Sequence, residues 1–167
     1  MLEAVDSDQW LVVSSGNPQI IIVTRVTDFC FTTEHSGHMQ SAVTPIIQSY
    51  RDLIVWKKSM SLVLDVYRST NAFPKTETYG LSTNLRRAAV SIPSNIAEGQ
   101  ARLSTAEFKQ SLGHARGSLM EVETYVLLAQ ELGYIERDQS EALLGHTAEV
   151  GKILNGLLNS LGRVTGH

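Results

Sequence analysis

Seven cationic side chains, Lys57, Lys58, Arg86, Arg87, Arg102, Lys109 and Arg116, crowd the middle of a 167-residue chain. Residues 50–116 hold ten Lys/Arg against five Asp/Glu, a net +5, whereas residues 1–49 and 117–167 each carry a net −4. Lysine and arginine neutralise phosphates and release counterions without any sequence preference. A basic middle on an otherwise acidic chain therefore points to an anionic partner such as RNA or DNA. The same residues can equally form a solvated face with internal ion pairs, Arg87 with Glu121 above all. No aromatic side chains are interleaved with this patch in the manner of single-strand binders.

Other candidate chemistry is weaker. Glu98, Glu121 and Glu123 are acids within the same helical motifs, and paired carboxylates can move protons or hold a metal. No nucleophile–base pairing accompanies them. Structural polar roles suffice, with Glu98 capping a neighbouring helix start and Glu121 meeting an arginine. A di-metal site in a helical bundle needs two Glu-x-x-His motifs, but here Ser111 precedes His114 and Leu143 precedes His146 at that spacing. Cys30, His35 and His38 in a polar stretch read as unrelated surface residues rather than zinc ligands. Gly145 to Lys152 misses a phosphate-binding loop by one residue of glycine spacing and by Ile153 in place of Ser/Thr. No catalytic residue, metal or cofactor is expected.

Composition sets the frame. An apolar fraction of 43% and a charged fraction of 19% suit a soluble domain with one sizeable core. A single cysteine excludes an internal disulfide, which fits a reducing cytoplasm. Glu3, Asp6 and Asp8 stand where a secretion signal would need basic residues. The early apolar run Ile20 to Val23 is far short of the ~20 residues that cross a bilayer. No membrane partner is expected.

The periodicity predicts an all-α fold, an antiparallel up-down-up-down four-helix bundle over residues 49–163, with a tail at 164–167. The first helix is expected from a Ser49/Asp52 capping box, with Leu53, Trp56, Met60, Val63, Leu64 and Tyr67 as its inner stripe. The second starts around Thr76 to Thr78 and carries Leu85, Ala88, Ala89, Ile92 and Ile96 inward. Pro93 is expected to open a turn there and Gly99 to supply a left-handed stop. Ser104 and Glu107 cap the third helix, whose face is Phe108, Leu112, Ala115, Leu119, Val122, Val126, Ala129 and Leu132, closed by Gly133. Asp138 and Glu141 cap the fourth, with Leu143, Leu144, Thr147, Val150, Leu154, Leu157 and Leu161 inward. Ala88, Ala89 and Ser91 should meet Leu112, Ala115, Gly117 and Ser118 at a close approach that explains Gly117. Ile54, Val55 and Trp56 exceed what one seam buries, which predicts a subunit contact. Residues 1–48 read as an extension, either a short β-hairpin of Trp10–Val13 with Gln19–Val26 or unstructured. Residues 1–38 are expected to be dispensable, Met39 being an alternative start.

Several motifs, in order, resemble the 23S rRNA intervening-sequence protein family. They are Leu53-Ile54-Val55-Trp56, Phe73-Pro74, Tyr79-Gly80-Leu81, Leu85-Arg86-Arg87-Ala88, Ser91-Ile92, Asn95-Ile96-Ala97-Glu98-Gly99, Glu107-Phe108, Ala115-Arg116-Gly117-Ser118-Leu119 and Glu121-Val122-Glu123. The resemblance covers about residues 50–160. It implies a bacterial four-helix bundle that assembles with itself into a ring-shaped pentamer, and no settled biochemical activity. A related branch, the accessory variability protein of diversity-generating retroelements, implies a reverse transcriptase or another nucleic-acid enzyme as a further possible partner. The function expected is an oligomeric binding module for RNA, DNA or such an enzyme, with a purely scaffolding homo-oligomer as the alternative.

Overall fold

A computed structural model describes residues 10–14 and 21–25 as backbone, and residues 49–164, with side chains through Leu161. Strands β1 (Trp10–Ser14) and β2 (Ile21–Arg25) pair antiparallel, with Val12 opposite Val23. Helices α1 (Ile54–Thr70), α2 (Leu81–Gln100), α3 (Thr105–Glu131) and α4 (Arg137–Val164) form the rest. Each packs on the next in sequence and α4 closes back onto α1, so α2 lies diagonally opposite α4. The predicted four-helix bundle is therefore the fold. No helix among the described residues is long and apolar enough to cross a membrane. The expectations about residues 1–9 and 26–48, including Cys30, His35, His38 and Met39, and about the tail beyond Val164 lie outside the described residues.

The helix boundaries follow local chemistry. The Ser49/Asp52 box forms, but it closes a 3-10 turn over Tyr50–Asp52, and α1 begins only at Ile54. A second such turn, Lys75–Glu77, occupies the expected start of α2, which begins at Leu81. There the Glu77 carboxylate supplies the missing cap, accepting from the Leu81 N–H at 2.9 Å. Ser104 caps α3 as expected, its hydroxyl accepting from the Glu107 N–H at 3.3 Å. Gly133, at φ +70°, ends α3 in a two-bond turn: its N–H reaches Gln130 O and that of Tyr134 reaches Ala129 O, both at 2.9 Å. Asp138 lies inside the first turn of α4 rather than capping it.

The core is one cluster running through all four helices, and the expected stripes of α2, α3 and α4 supply most of it. Leu132 is the exception on α3, being exposed. Helix α1 departs from expectation more. Its buried face is Val55, Ser59, Leu62, Val63, Val66, Ser69 and Thr70. Leu64 and Tyr67 are exposed, and Trp56 and Met60 are half-buried. The helix carries two apolar stripes, and small serines occupy the inner one. Ser59 enters the core because its hydroxyl donates to Val55 O at 2.6 Å, leaving no orphaned polar group.

Two glycines depart from the roles expected of them. Gly99 does not stop α2; it is helical and buried, and a Cβ there would stand 2.6 Å from Ser111 Cβ and 2.8 Å from Phe108 Cδ2. Gly117 is exposed and nothing lies within 4 Å of its would-be Cβ. The close approach of α2 and α3 is thus at Gly99, one end of the seam. Helix α2 continues through Pro93, which is buried in it. Midway along, Ser118 Oγ donates to Ser91 Oγ at 2.9 Å, and Asn95 Nδ2 donates to the same oxygen at 2.9 Å.

Opposite outcomes follow for two alanine substitutions. Gly117→Ala should stabilise by about 0.5–1 kcal/mol, the helix-propensity gain at an open position. Gly99→Ala should destabilise by about 1–3 kcal/mol through overpacking. Denaturant melts check both. Leu119→Ala and Ile92→Ala, at positions no more than 1% exposed, should each cost about 2–5 kcal/mol.

Candidate nucleic-acid interface

Tertiary contacts sort the seven cations into two groups. Arg86 is committed to the fold. Its Nε donates to Thr70 Oγ1 at 2.7 Å and its Nη2 to Asn71 Oδ1 at 3.0 Å. Its guanidinium lies 4.9 Å from the Tyr67 ring centroid, within cation–π range. Thr70 in turn donates to Val66 O at 2.8 Å, so the end of α1 is tied to α2 through one side chain. The guanidinium expected to face phosphates is thus engaged within the fold. A guanidinium can make this fork and stack at once, which an ammonium cannot.

Lys58 Nζ lies 2.8 Å from Glu149 Oε1 across the α1–α4 seam. Arg102 pairs with Glu98 one turn back, so Glu98 holds its own helix end rather than capping the next helix. Both pairs are about half exposed, where an ion pair contributes little to stability. Each still neutralises a cation.

Lys57, Arg87, Lys109 and Arg116 have no ion-pair partner among the described residues. Lys57, Arg87 and Arg116 are exposed and Lys109 is half-buried. The expected Arg87–Glu121 pair does not form, and both side chains are exposed. Two exposed side chains gain little from pairing in water. Lys109 and Arg116, seven residues apart, share one flank of α3. Lys57 lies on α1 and Arg87 on α2, so the four free cations are spread over three helices rather than gathered in a cleft.

The polar cluster that the sequence does not announce is on the α1–α4 seam. Asp65 Oδ1 accepts from Arg68 Nη1 at 2.9 Å, and Asp65 Oδ2 lies 2.8 Å from His146 Nδ1. Gln139 Nε2 donates to Ser69 Oγ at 3.3 Å. These residues, with Ala142 and Leu143, line a groove of about 290 Å³. Spacing offers no signal for it, because Asp65 and His146 are 81 residues apart. At the bundle's end, Tyr134 donates to Glu77 Oε1 at 3.3 Å and its ring meets Phe73 at 5.6 Å. Burial, then the Glu77 charge and the hydrogen bond, push the Tyr134 phenol above its ordinary range. No group of three or more His, Cys, Asp or Glu among the described residues is placed to hold a metal ion.

Residues 51–156 match the family model described as 23S rRNA-intervening sequence protein. Among solved structures, a protein of unknown function from the S23 ribosomal protein family of Bacteroides thetaiotaomicron is similar, with a TM-score of 0.57 and 26% sequence identity. The similarity covers 63% of this chain and 98% of that one. No curated protein matches.

Arg86→Ala should cost about 1–3 kcal/mol, since it removes charged hydrogen bonds to a buried hydroxyl and a ring contact. Arg86→Lys should recover little of it. Alanine at Lys57, Arg87 or Arg116 should each shift stability by less than about 0.5 kcal/mol, as exposed unpaired side chains do. Thermal melts of the five variants separate the committed cation from the free ones.

Proposed function

The chain belongs to the 23S rRNA-intervening sequence protein family, and on that premise we propose that it is a self-assembling binding module for nucleic acid. The partner is RNA or DNA, met directly or within a complex with a nucleic-acid enzyme such as a reverse transcriptase. The observation that carries this reading is that four of the seven candidate cations, Lys57, Arg87, Lys109 and Arg116, have neither an ion-pair partner nor a side-chain hydrogen bond among the described residues. Stability does not require them, and an anionic polymer would. Such a module needs no catalytic step, metal or cofactor, and works in the cytoplasm.

Self-assembly is supported by the second apolar stripe of α1. Trp56, Met60, Leu64 and Tyr67 follow one another at three- and four-residue steps along its outer side, with Leu64 52% exposed. The surplus apolar surface is this outer set; Val55, expected to contribute to it, is buried in the core. An exposed stripe on a small bundle marks an interaction face. Five subunits is the number the family resemblance implies. A ring would repeat the weak cationic surface on every subunit and raise affinity by avidity.

The alternative is a scaffold that binds no nucleic acid. It is favoured by the commitment of Arg86, Lys58 and Arg102 to contacts within the bundle.

Fluorescence anisotropy against salt decides between them. Binding should weaken steeply as salt rises, and the combined Lys57→Ala, Arg87→Ala, Lys109→Ala and Arg116→Ala variant should flatten that slope by about one unit per lost phosphate contact. Absence of wild-type binding at about 50 mM salt would leave the scaffold. Independently, Leu64→Glu should lower the mass seen by light scattering while circular dichroism stays unchanged.

A further inference from the structure

Resting on the nucleic-acid reading above, we propose that Tyr79 is a base-stacking residue and that the nucleic acid met at the start of α2 is unpaired. Tyr79 is 93% exposed, the most exposed of the large apolar side chains in the described part of the chain. Its ring takes no part in the core, where Phe73 and Tyr134 of the same end are packed together. Yet the backbone that carries it is held on both sides. The Thr78 N–H bonds Lys75 O at 3.2 Å, the Gly80 N–H bonds Glu77 O at 3.0 Å, and Thr83 Oγ1 donates to Thr78 O. A bulky ring is thus presented to solvent from a fixed turn rather than from a loose loop.

The charges around it suit a phosphate backbone. Lys75 is exposed on the preceding turn, and Arg87 is exposed two turns into α2, about 9 Å along the axis from Leu81. The acid of this turn, Glu77, is directed inward, one oxygen to the Leu81 N–H and the other to the Tyr134 hydroxyl. Gly80 makes that possible, because a Cβ there would lie 2.5 Å from Glu77 Oε2. Glu136, just before α4, and Asp138, in its first turn, lie two and four residues beyond Tyr134, which meets Glu77, so both acids are at this end of the bundle. An exposed aromatic ring with uncommitted cations before and after it in the chain can hold a single strand: rings stack on bases of any identity while cations follow the phosphates. A duplex offers no free base face to such a ring.

The test compares the full chain, wild type, Tyr79→Ala and Tyr79→Phe, in anisotropy titrations with a single-stranded RNA and an RNA duplex of equal length. Tyr79→Ala should weaken single-strand binding roughly tenfold, a typical loss for one stacked base. It should leave duplex binding unchanged, and Tyr79→Phe should behave as wild type. A 2-aminopurine base in the single strand should be quenched by wild type and not by Tyr79→Ala. Equal binding by wild type and Tyr79→Ala, with equal quenching, overturns the stacking role and leaves the nucleic-acid reading standing. A change in assembled mass on Tyr79→Ala, read by light scattering, overturns it in favour of a protein contact. Absence of any wild-type binding overturns both readings together.

Discussion

The close approach of α2 to α3 is the constraint on which the rest of the bundle depends. It is built from small residues: Gly99 at one end, then Ala88, Ala89 and Ala115, with Ser91 and Ser118 sharing a hydrogen bond along the way. Removing side-chain volume lets the two helices share the most extensive pairing among the described elements. Large side chains are then displaced toward the other two helices. Leu85, Ile92, Leu112, Leu119 and Val122 fill the centre against Leu62, Val66, Leu154 and Leu157.

Helices α1 and α4 are held to this pair by different means. The end of α1 is tied to α2 by Arg86, and α2 is joined to the turn before α4 by Glu77 and Tyr134. Between α1 and α4 the register is marked by polar pairs, Lys58 with Glu149, Asp65 with His146 and Ser69 with Gln139. Such pairs contribute little energy at the surface but penalise a slipped register, where each would lose its partner. The small-residue seam supplies close packing, and the polar seam supplies alignment.

The same contacts decide what remains available outside. Each cation used in alignment is removed from the surface field, which leaves a sparse positive charge spread over three helices. A sparse patch suits weak, non-specific attraction, and repetition in an assembly would strengthen it. The outer stripe of α1 and the exposed Tyr79 are the apolar counterparts. Neither is explained by the core of a single chain.

Much of this was legible from residue order, because it is local. The four helices, the inward faces of α2, α3 and α4, the Ser104 cap and the Gly133 stop each depend on residues within a turn or two of one another. The motifs that resemble the intervening-sequence family are local in the same way, so the family could be read from them. What only the tertiary structure decided depends on partners far apart in sequence. Periodicity could not choose between the two apolar stripes of α1, because the inner one contains Ser59, which bonds within its own helix, and Ser69, which meets Gln139 only in the folded bundle. Gly99 and Gly117 look alike in a helix until Phe108 and Ser111 arrive against one of them. Arg86 and Arg87 are adjacent and chemically identical, yet one meets Thr70 and Asn71 while the other meets water. Spacing along the chain sets which way a side chain points from its own helix; the packing of helices sets what it meets.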